Sequence, residues 1–489
     1  MRTLAAVVVL VALSCSGSLA VELPRSAPEA HGVSSAAIGS FIDAADRDID
    51  ALHSFMLLRH GHVLAEGWWA PYHAEAPHSL YSLSKSFTST AVGLAIDEGK
   101  LRLDSSVLDF FPDQAPADPS HNLRQMRVHD LLRMSTGQQS EPKRTSDQPW
   151  VTTFLAHPVP FKPGTHFLYN TSGTYMLSAI LQKATGQPLL DYLRPRLFEP
   201  LGIEHPTWET CPAGITAGGY GLSIRTEDIA RFGQLYLQQG QWQGKQLVPE
   251  AWVAAATARQ TSNGSNPKSD WDQGYGYQFW RCRHSVYRGD GAFGQYCIVL
   301  PDHDAVIAIT SGVRNMQSVL DLVWDKLLPA FEDAPMPADN AAQQRLKQKL
   351  TALSLPIPEG SGAGTQRLGK KYVFAANDSK LEAITLETAD NNGAVTLVAR
   401  FDGVEQRIAC GRRAWRKQRA AWDQRPEQPI AAAGAWTDED TFTAKLCFYE
   451  TPYMVTVRLK FTGLQVDCTA RPNVAFGPAR RIQLTGRAE

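Results

Sequence analysis

Serine and lysine residues three positions apart are the clearest candidates for chemistry in this sequence. On a helix such a pair shares one face, so the lysine amine lies beside the serine hydroxyl. A neutral amine there can take the hydroxyl proton, and the serine then attacks a carbonyl to form an acyl intermediate. Burial must lower the lysine pKa for this role. The spacing therefore predicts acyl transfer only where it falls on a buried helix.

Three pairs have this spacing, whereas about two are expected by chance at ordinary residue frequencies. They are Ser82/Lys85, Ser140/Lys143 and Ser265/Lys268. The second pair encloses a proline among polar neighbours, and the third lies in a stretch rich in Asn, Gly and Pro, which is typical of a loop. Only the first pair opens an apolar segment, so its context selects Ser82 and Lys85.

Residues 82–98 have the pattern of a buried helix that ends at Gly99. Apolar residues recur at helical spacing, and they include Leu83, Phe87, Ala91 and Leu94. A serine at the start of such a helix gains from the helix dipole, and its backbone N–H can bind an oxyanion. From spacing and context alone, a simple N-cap role for Ser82 and a solvent-exposed Lys85 are equally good explanations.

Residues 80–101 resemble the nucleophile helix of the penicillin-recognising serine hydrolases. That superfamily includes class C β-lactamases, DD-peptidases, D-aminopeptidases and family VIII esterases. Residues 128–137 resemble its LLxMxSG segment, residues 163–171 its PGxxFxYSN segment, and residues 287–295 the region of its third box. The resemblance covers about residues 30–330. It implies a serine hydrolase without metal or cofactor, acting on a small-molecule or peptide substrate through an ester, amide or lactam carbonyl.

The resemblance also implies roles for individual residues. Ser82 would be the acylated nucleophile, and Lys85 the general base or its partner. Tyr169 would be a second base that relays a proton to the leaving group. A tyrosine with an ordinary pKa near 10 needs a cation beside it for this role, and Lys85 would supply one. The backbone N–H groups of Ser82 and Ala292 would form the oxyanion hole.

The second family segment ends differently in this chain. The family pattern Tyr-x-Asn reads Tyr169-Asn170-Thr171, so its final amide is missing. We expect Asn170 and Thr171 to lie in the substrate site. Whether the side chain of Asn170 replaces the missing amide is left open by the sequence.

The third box departs from the family as well. It is usually Lys-Thr-Gly or His-x-Gly, but here it reads Gly289-Asp290-Gly291 and follows Arg288. The missing cation normally helps to hold a substrate carboxylate, so an efficient β-lactamase or DD-carboxypeptidase is disfavoured unless Arg288 compensates. We therefore expect an esterase, an amidase or a D-amino-acid peptidase, with these four residues in the substrate site. Asp290 is either a receptor for a substrate amine or a solvated turn residue.

Three other interpretations stay open at this stage. The altered second and third boxes also fit an acylatable but slow or inactive penicillin-binding sensor. The C-terminal part could be the functional unit, as a carrier of an apolar ligand. A Ser-His-Asp triad could use a histidine that precedes Ser82, although no motif supports it. The histidines concerned are His53, His60, His62, His73 and His78.

The elements that must position Ser82 are strands at both ends of the first 315 residues, with helices between them. Residues 54–69 read as a hairpin, and strand patterns return at residues 274–280, 294–300 and 305–310. A helix is predicted over residues 226–239. This arrangement predicts an α/β (α+β) domain whose antiparallel sheet is built from both ends and flanked by helices, with a helical region inserted.

A second unit follows a Pro/Gly/Ser-rich stretch at residues 355–364, which comes after a helical pattern at residues 341–353. Beyond it, apolar and polar residues alternate strictly from Val455 to Phe461, which predicts half-buried strands. We therefore divide the chain into residues 1–20 (signal peptide), 21–335 (hydrolase domain), 336–365 (helix and linker) and 366–489 (an all-β barrel or sandwich).

Composition excludes several classes of protein. The 489 residues carry 48 basic and 49 acidic side chains, a net charge of −1, and 43% of them are apolar. A largely disordered chain and a polybasic nucleic-acid binder are excluded. We expect no nucleic-acid partner, no spanning helix after the first segment, and no metal, because no Cys or Cys/His cluster has zinc spacing.

Residues 1–20 read as a secretory signal. Arg2 precedes an apolar stretch at residues 4–13, and small residues follow at positions 18 and 20. We expect an exported protein, either periplasmic or secreted. Lipoprotein processing, with a lipid anchor at Cys15, is the alternative.

Export changes how the later cysteines are interpreted, because an oxidising compartment permits disulfides. Two pairs are favoured, since each flanks a likely strand–turn–strand: Cys282 with Cys297, and Cys447 with Cys468. Buried free thiols are the alternative, because cysteine packs well as a small apolar group.

Overall fold

The computed structural model describes residues 22–360, 364–389, 393–478 and 481–489. The predicted signal segment and Cys15 lie outside these residues. Within the described residues, a domain of mixed helices and strands is followed by a ten-stranded antiparallel sheet that curls into a nearly closed barrel. The predicted fold class is confirmed. No helix in the described ranges is both long enough and apolar enough to cross a bilayer.

The α-helices of the described residues all precede the barrel strands. In chain order they are α1 (Ser35–Asp48), α2 (Ser84–Asp97), α3 (His121–Gln125), α4 (Val128–Leu132), α5 (Trp150–Ala156), α6 (Thr171–Thr185), α7 (Leu189–Leu193), α8 (Glu199–Leu201), α9 (Thr226–Leu237), α10 (Glu250–Thr257), α11 (Met316–Leu322) and α12 (Asn340–Thr351).

The strands divide between the two units. Those of the first domain are β1 (Leu52–Arg59), β2 (His62–Trp68), β3 (His78–Ser79), β4 (Thr207–Trp208), β5 (Leu222–Ile224), β6 (Gln241–Trp242), β7 (Lys245–Gln246), β8 (Trp280–Arg281), β9 (Tyr287–Gly291), β10 (Gln295–Leu300) and β11 (Ala305–Ser311). Those of the barrel are β12 (Lys371–Phe374), β13 (Leu381–Thr388), β14 (Val395–Phe401), β15 (Val404–Cys410), β16 (Arg416–Trp422), β17 (Arg425–Trp436), β18 (Thr441–Cys447), β19 (Met454–Thr462), β20 (Gln465–Pro472) and β21 (Ile482–Ala488).

The main sheet of the first domain joins strands from both ends of that domain. Its order is β2-β1-β11-β10-β9-β8, and neighbouring strands are antiparallel. β1 pairs with β11 from Leu52 opposite Ser311 to Arg59 opposite Ala305. The predicted sheet built from both ends, with helices inserted between, is confirmed.

This sheet is covered on both faces, because successive side chains of a strand point in opposite directions. Phe55 and Leu57 of β1 pack into a core formed with α1, α11 and α12. Met56 and Leu58 pack into a larger core formed with α2 and α9. All eight residues of β1 are buried, so the central strands are rigidly held on each side.

The predicted buried helix after Ser82 is confirmed as α2. Of its 14 residues, 12 are buried, and Phe87 stacks on Phe232 of α9 with ring centroids 3.9 Å apart. The helix follows a 3-10 turn, Tyr81–Leu83, so Ser82 lies just before α2 instead of on its first residue. This turn carries the serine at the edge of the core.

The barrel has its own packed interior. Its strand order is β15-β14-β13-β12-β21-β20-β19-β18-β17-β16, and a bridge between Gly411 and Ala433 brings the two ends of the sheet together. Large side chains such as Trp436, Phe442 and Phe461 fill the inside and are buried. A filled interior does not favour the interpretation of this unit as a carrier of an apolar ligand.

The helix of the predicted linker belongs to the first domain. α12 packs against α1 and β2, and Leu346, Leu353 and Leu355 are buried in the same core as Phe55. Only the chain after Leu355 therefore connects the two units, and the predicted domain boundaries stay a prediction.

Two predictions from the sequence are wrong. Residues 274–280 form turns and single bridges, with a regular strand only at Trp280–Arg281. The cysteines of the described residues are free and buried. The expected disulfides do not form because the members of each pair lie in different cores, on opposite sides of the strands between them. Cys297 and Cys468 face away from the core that holds Cys282 and Cys447.

The barrel contacts the segment that leads to Ser82. The backbone N–H of Ser79 donates to the carbonyl of Glu450 at 2.9 Å, and the Tyr72 hydroxyl donates to the carbonyl of Thr451 at 3.0 Å. The barrel end that contains the loop after β18 therefore lies beside the turn that carries the serine.

Candidate active site

Ser82 lies half-buried in the tight turn before α2. Tyr81, which precedes it, has a backbone φ of +47°. A tyrosine in the left-handed region is strained, and such strain persists only where the surrounding structure imposes it. Packing around the turn therefore fixes the direction in which Ser82 points.

Lys85 is buried one residue into α2, beside the serine. Its side chain is 1% exposed, and its Nζ is 3.1 Å from Ser82 Oγ. The same atom is 3.2 Å from Thr171 Oγ1 and 2.7 Å from the carbonyl oxygen of Gly219. Burial is the largest influence on this group and lowers the pKa of Lys85 from 10.5 to about 7. Above pH 7 the amine is therefore mostly neutral.

The three contacts of Lys85 match the valence of a neutral amine. Such an amine has two N–H donors and one lone pair, whereas the ammonium form has three donors and no acceptor. The Gly219 carbonyl and the Thr171 hydroxyl accept the two N–H groups, which leaves the lone pair for the hydroxyl of Ser82. This geometry allows Ser82 to donate its proton to Lys85, as general-base activation requires.

Tyr169 lies beside Lys85 and Ser82. Its ring centroid is 5.0 Å from Lys85 Nζ and 5.2 Å from the stacked ring of Trp280. Burial raises the pKa of Tyr169, nearby Asp290 raises it further, and a hydrogen bond with the Ser82 hydroxyl lowers it in part. The phenol therefore stays protonated near neutral pH, which suits a proton donor better than a base. Its catalytic role stays a prediction.

Of the two residues after Tyr169, one contacts Lys85 and the other has a structural role. Thr171 begins α6 and accepts a hydrogen bond from Lys85. Asn170 is fully buried and caps α6: its side-chain oxygen accepts from Gly173 N at 3.0 Å, and its amide donates to Gln138 at 2.7 Å. The structure does not support Asn170 as the substrate-facing amide, because both of its polar atoms are occupied.

β9 runs directly against the turn that carries Ser82, and its glycines allow this contact. A Cβ atom at Gly291 would collide with the carbonyl oxygen of Leu80 and lie 3.1 Å from Ser82 N, and one at Gly289 would collide with α2 and the turn before it. Only glycine permits such close approach of two backbones. Ala292 follows Gly291 immediately, so its backbone lies close to that of Ser82, as two N–H groups that bind one oxyanion must. The oxyanion hole itself stays a prediction.

We expect Gly291→Ala to lower kcat/KM for ester hydrolysis by about 100-fold, because the added methyl group must push β9 away from the serine turn. Steady-state kinetics and thermal unfolding of the purified variant measure this. Gly39→Ala is the matched control: a Cβ at Gly39, within α1, meets no atom within 4 Å. That change should raise the unfolding free energy by about 0.5–1 kcal/mol. Unchanged activity in Gly291→Ala would mean that this contact does not position the site.

Arg288 and Asp290 form a buried ion pair. Arg288 is fully buried, its Nε is 2.9 Å from Asp290 Oδ2, and its Nη1 donates to the carbonyl of Asp270 at 2.8 Å. Burial raises the pKa of Asp290, and the charge of Arg288 opposes this rise. This burial and this pairing do not support Arg288 as a substitute for the missing third-box cation. The interpretation of Asp290 as a solvated turn residue is also wrong, because it is 6% exposed.

Sequence reasoning missed two loops that complete the surroundings of Lys85. One supplies the carbonyl of Gly219, and its only signal in the sequence is the glycine-rich run at residues 218–221. The other supplies Glu141 and Arg144, which form an ion pair with each other. Arg144 lowers the pKa of Lys85 and Glu141 raises it, and both effects are smaller than that of burial.

The histidines before Ser82 have partners elsewhere, so the structure does not support a Ser-His-Asp triad. They contact each other or nearby residues: His53 with His78, His73 with Glu75, and His60 and His62 with His31. In the part of the chain that the structure describes, no three His, Cys, Asp or Glu side chains are grouped to hold a metal ion.

Four aromatic residues from both units, which we call the rim cluster, meet beside the serine turn: Tyr81, Phe293, Tyr453 and Phe476. The Tyr81 hydroxyl donates to the Tyr453 hydroxyl at 2.8 Å. The ring of Phe476 lies 5.6 Å from that of Tyr81 and 4.8 Å from that of Phe293. Since Tyr81 precedes Ser82 and Phe293 follows Ala292, the barrel contacts the neighbours of both predicted oxyanion donors.

Known proteins resemble this chain in sequence and in fold. The family described as Beta-lactamase matches residues 46–321. Penicillin-binding protein 4 of Amycolatopsis lactamdurans is 27% identical over 352 residues, which cover 63% of this chain and 88% of that protein. The 6-aminohexanoate-dimer hydrolase of Paenarthrobacter ureafaciens is 26% identical over 287 residues, which cover 52% of this chain and 71% of that protein.

A solved structure extends the likeness to the barrel. The octameric penicillin-binding protein homologue from Pyrococcus abyssi aligns with 92% of this chain and 99% of its own, with 17% sequence identity and a TM-score of 0.50. At this identity the likeness concerns the fold alone, and it includes both units of the chain.

Proposed function

Because the chain belongs to the Beta-lactamase family of hydrolases, which are generally serine hydrolases, we propose that it forms an acyl-enzyme on Ser82. The family match and the relatives named above confirm the resemblance to penicillin-recognising proteins. One observation carries the proposal: buried Lys85 lies 3.1 Å from Ser82 Oγ, and its pKa is lowered to about 7.

Acylation begins with the proton of the Ser82 hydroxyl. The neutral amine of Lys85 takes this proton while Oγ attacks the substrate carbonyl carbon, and the backbone N–H groups of Ser82 and Ala292 stabilise the oxyanion. The intermediate collapses and the bond to the leaving group breaks. Tyr169 donates its phenol proton to the leaving group and recovers a proton from the Lys85 ammonium, so both side chains return to their neutral forms.

Deacylation repeats these proton movements with water. The neutral amine of Lys85 takes a proton from a water molecule, whose oxygen attacks the acyl carbonyl. When the second intermediate collapses, the bond to Ser82 Oγ breaks, and the Lys85 ammonium returns its proton to that oxygen. The product is a carboxylic acid, and the proton transfers of the cycle use one water molecule and the side chains named above.

We propose esters or amides as substrates, of the esterase, amidase or D-amino-acid peptidase type. The third box has no cation of its own, and Arg288 is confined to an ion pair with Asp290. The usual receptor for the carboxylate of a β-lactam is therefore lacking at this position, which disfavours efficient β-lactam hydrolysis.

The barrel shapes the mouth of this site in our proposal, because two residues of the rim cluster come from it. Export of the protein, with or without a lipid anchor at Cys15, is proposed on the pattern of residues 1–20.

Covalent labelling of the full chain tests the nucleophile. A fluorophosphonate probe, which reacts with activated serine hydroxyls, should add one probe mass, and peptide mapping should place the adduct on Ser82. Ser265, in the exposed third Ser-x-x-Lys pair, should stay unmodified and serves as an internal control. An adduct elsewhere, or no adduct, would refute the assignment of Ser82.

Turnover of p-nitrophenyl esters separates an enzyme from a sensor. An enzyme releases p-nitrophenol continuously, whereas a stalled acyl-enzyme releases one equivalent and stops. We expect continuous release. A single burst with a stable adduct on Ser82 would instead identify an acylatable sensor.

A further inference from the structure

Arg425 of the barrel is a half-buried cation whose Nη1 finds no hydrogen-bond acceptor among the described residues. It begins β17, and its Cζ lies 4.8 Å from the ring centroids of both Phe448 and Tyr453. This Nη1 atom is itself buried. Burial lowers the pKa of Arg425, while neighbouring Tyr453 and Asp423 raise it. The group nevertheless stays charged, because a guanidinium holds its proton throughout the working pH range.

The guanidinium borders a cavity of about 210 Å³ at the end of the barrel that meets the first domain. Tyr453 and Phe476 line this cavity and also belong to the rim cluster. Most of the other lining residues are apolar, with Asp423 as the exception. Two residues that line the cavity therefore contact Tyr81, the residue before Ser82.

Other arginines near the site already have anionic partners. Arg288 is paired with Asp290, and Arg144 is paired with Glu141. Arg425 instead lies against two aromatic rings. Asp423 lies near enough to raise its pKa, but among the described residues Arg425 forms no ion pair within 4 Å. A half-buried charge of this kind gains most from an anion that offers the missing acceptors.

We propose that Arg425 binds a carboxylate that the substrate carries beyond its scissile carbonyl. The proposal rests on the proposed hydrolase function and names a substrate class for it: esters or amides with a second, ionised carboxyl group. The cation missing from the third box is thereby supplied by the barrel, at a different place in the cleft. A guanidinium matches the two oxygens of a carboxylate, and the apolar cavity wall accommodates the chain that joins it to the carbonyl.

Hydrolysis of esters of graded chain length by the full-length protein tests this proposal. One substrate series is p-nitrophenyl hemiesters of dicarboxylic acids from succinate to suberate, and the neutral series is p-nitrophenyl alkanoates of matched length. In the wild type, KM should be lowest for one chain length of the charged series. Arg425→Gln should raise that KM by about 10- to 100-fold, as expected for losing hydrogen bonds to a charged group. For the neutral series, the same substitution should change both KM and kcat by no more than about twofold.

Two further variants complete the comparison. Arg425→Lys keeps the charge and should recover part of the lost affinity. Arg407→Gln is the matched control, because Arg407 is an exposed barrel arginine that pairs with Glu405. It should change neither series. Phenyl acetate and its carboxyphenyl analogues repeat the test with the carboxylate on the leaving group. A KM that rises in Arg425→Gln for the charged esters only, whether the carboxylate is on the acyl group or on the leaving group, supports the proposal.

Three outcomes would overturn the subsite. They are equal KM values for charged and neutral esters in the wild type, an equal loss of both series in Arg425→Gln, or no effect of that change. If Arg425→Gln fails to fold, ionic strength decides instead: about 0.5 M salt should raise the wild-type KM for charged esters only, and a KM unaffected by salt would overturn the subsite. Failure to turn over any ester of either series would contradict the hydrolase proposal itself, so the two failures are distinguishable.

Discussion

Replacing Ser82 by alanine should lower kcat/KM for ester hydrolysis by roughly 10⁴- to 10⁶-fold, the range expected when a nucleophile that works with its base is removed. The change deletes one oxygen from a half-buried position. It leaves Lys85 with the Gly219 carbonyl and the Thr171 hydroxyl as acceptors, so the neutral amine keeps both of its donated hydrogen bonds. The melting temperature should therefore stay close to that of the wild type. Kinetics with p-nitrophenyl esters and thermal unfolding measure the two quantities.

Ser265→Ala is the control for this experiment. Ser265 has the same spacing to a lysine, Lys268, but both residues are exposed in a loop. The control variant should keep wild-type kinetics, because both residues lie in an exposed loop and neither contacts the buried Lys85. Equal activity of Ser82→Ala and the wild type would remove the basis of the mechanism, even if labelling still occurred nearby.

Replacing Lys85 by methionine should lower kcat/KM by roughly 10³- to 10⁴-fold, the upper part of the range for loss of a general base. Methionine fills the same buried space without an amine, so overall packing should be kept. The wild type should also show a defined pH dependence. The pKa of Lys85 is lowered to about 7, so the amine is protonated and unable to accept a proton below that pH. Activity should therefore fall about tenfold per pH unit below pH 7 and level off above it.

The pH profile gives the sharper test of this role. Lys85→Met should lose the rise in kcat/KM through pH 7 together with the activity, and what activity remains should depend only weakly on pH in this range. Lys268→Met, in the exposed loop, should keep both the activity and the rise. A rise through pH 7 that survives in Lys85→Met would assign the titrating base to a different group.

The serine and its lysine could be predicted from the sequence because their relation is local. Their spacing sets their geometry on one helix, and the apolar residues that follow show that the helix is buried. The same holds for β1, β2 and α9, whose patterns repeat over enough residues to reveal their period. The strict alternation after Val455 predicted the barrel strands for the same reason.

The remaining features depend on contacts between distant parts of the chain. No local pattern marks the carbonyl of Gly219 as an acceptor for Lys85, since any backbone carbonyl has that capacity. Arg288 could be considered as a substitute for the third-box cation because its hydrogen bond to the carbonyl of Asp270 cannot be recognised from the sequence. The proposed disulfides failed in the same way: spacing along the chain says nothing about which face of a sheet a cysteine occupies.

β1 is made early in synthesis, whereas its neighbour β11 is made late. The register that joins Leu52 to Ser311 spans more than half of the chain. At about 5–20 residues per second, roughly 13 to 50 seconds pass before the ribosome has produced that partner. Until then, one edge of this strand, which is wholly buried in the folded protein, is open to pairing with other chains. The order of strands in this sheet thus delays folding until most of the polypeptide has been made.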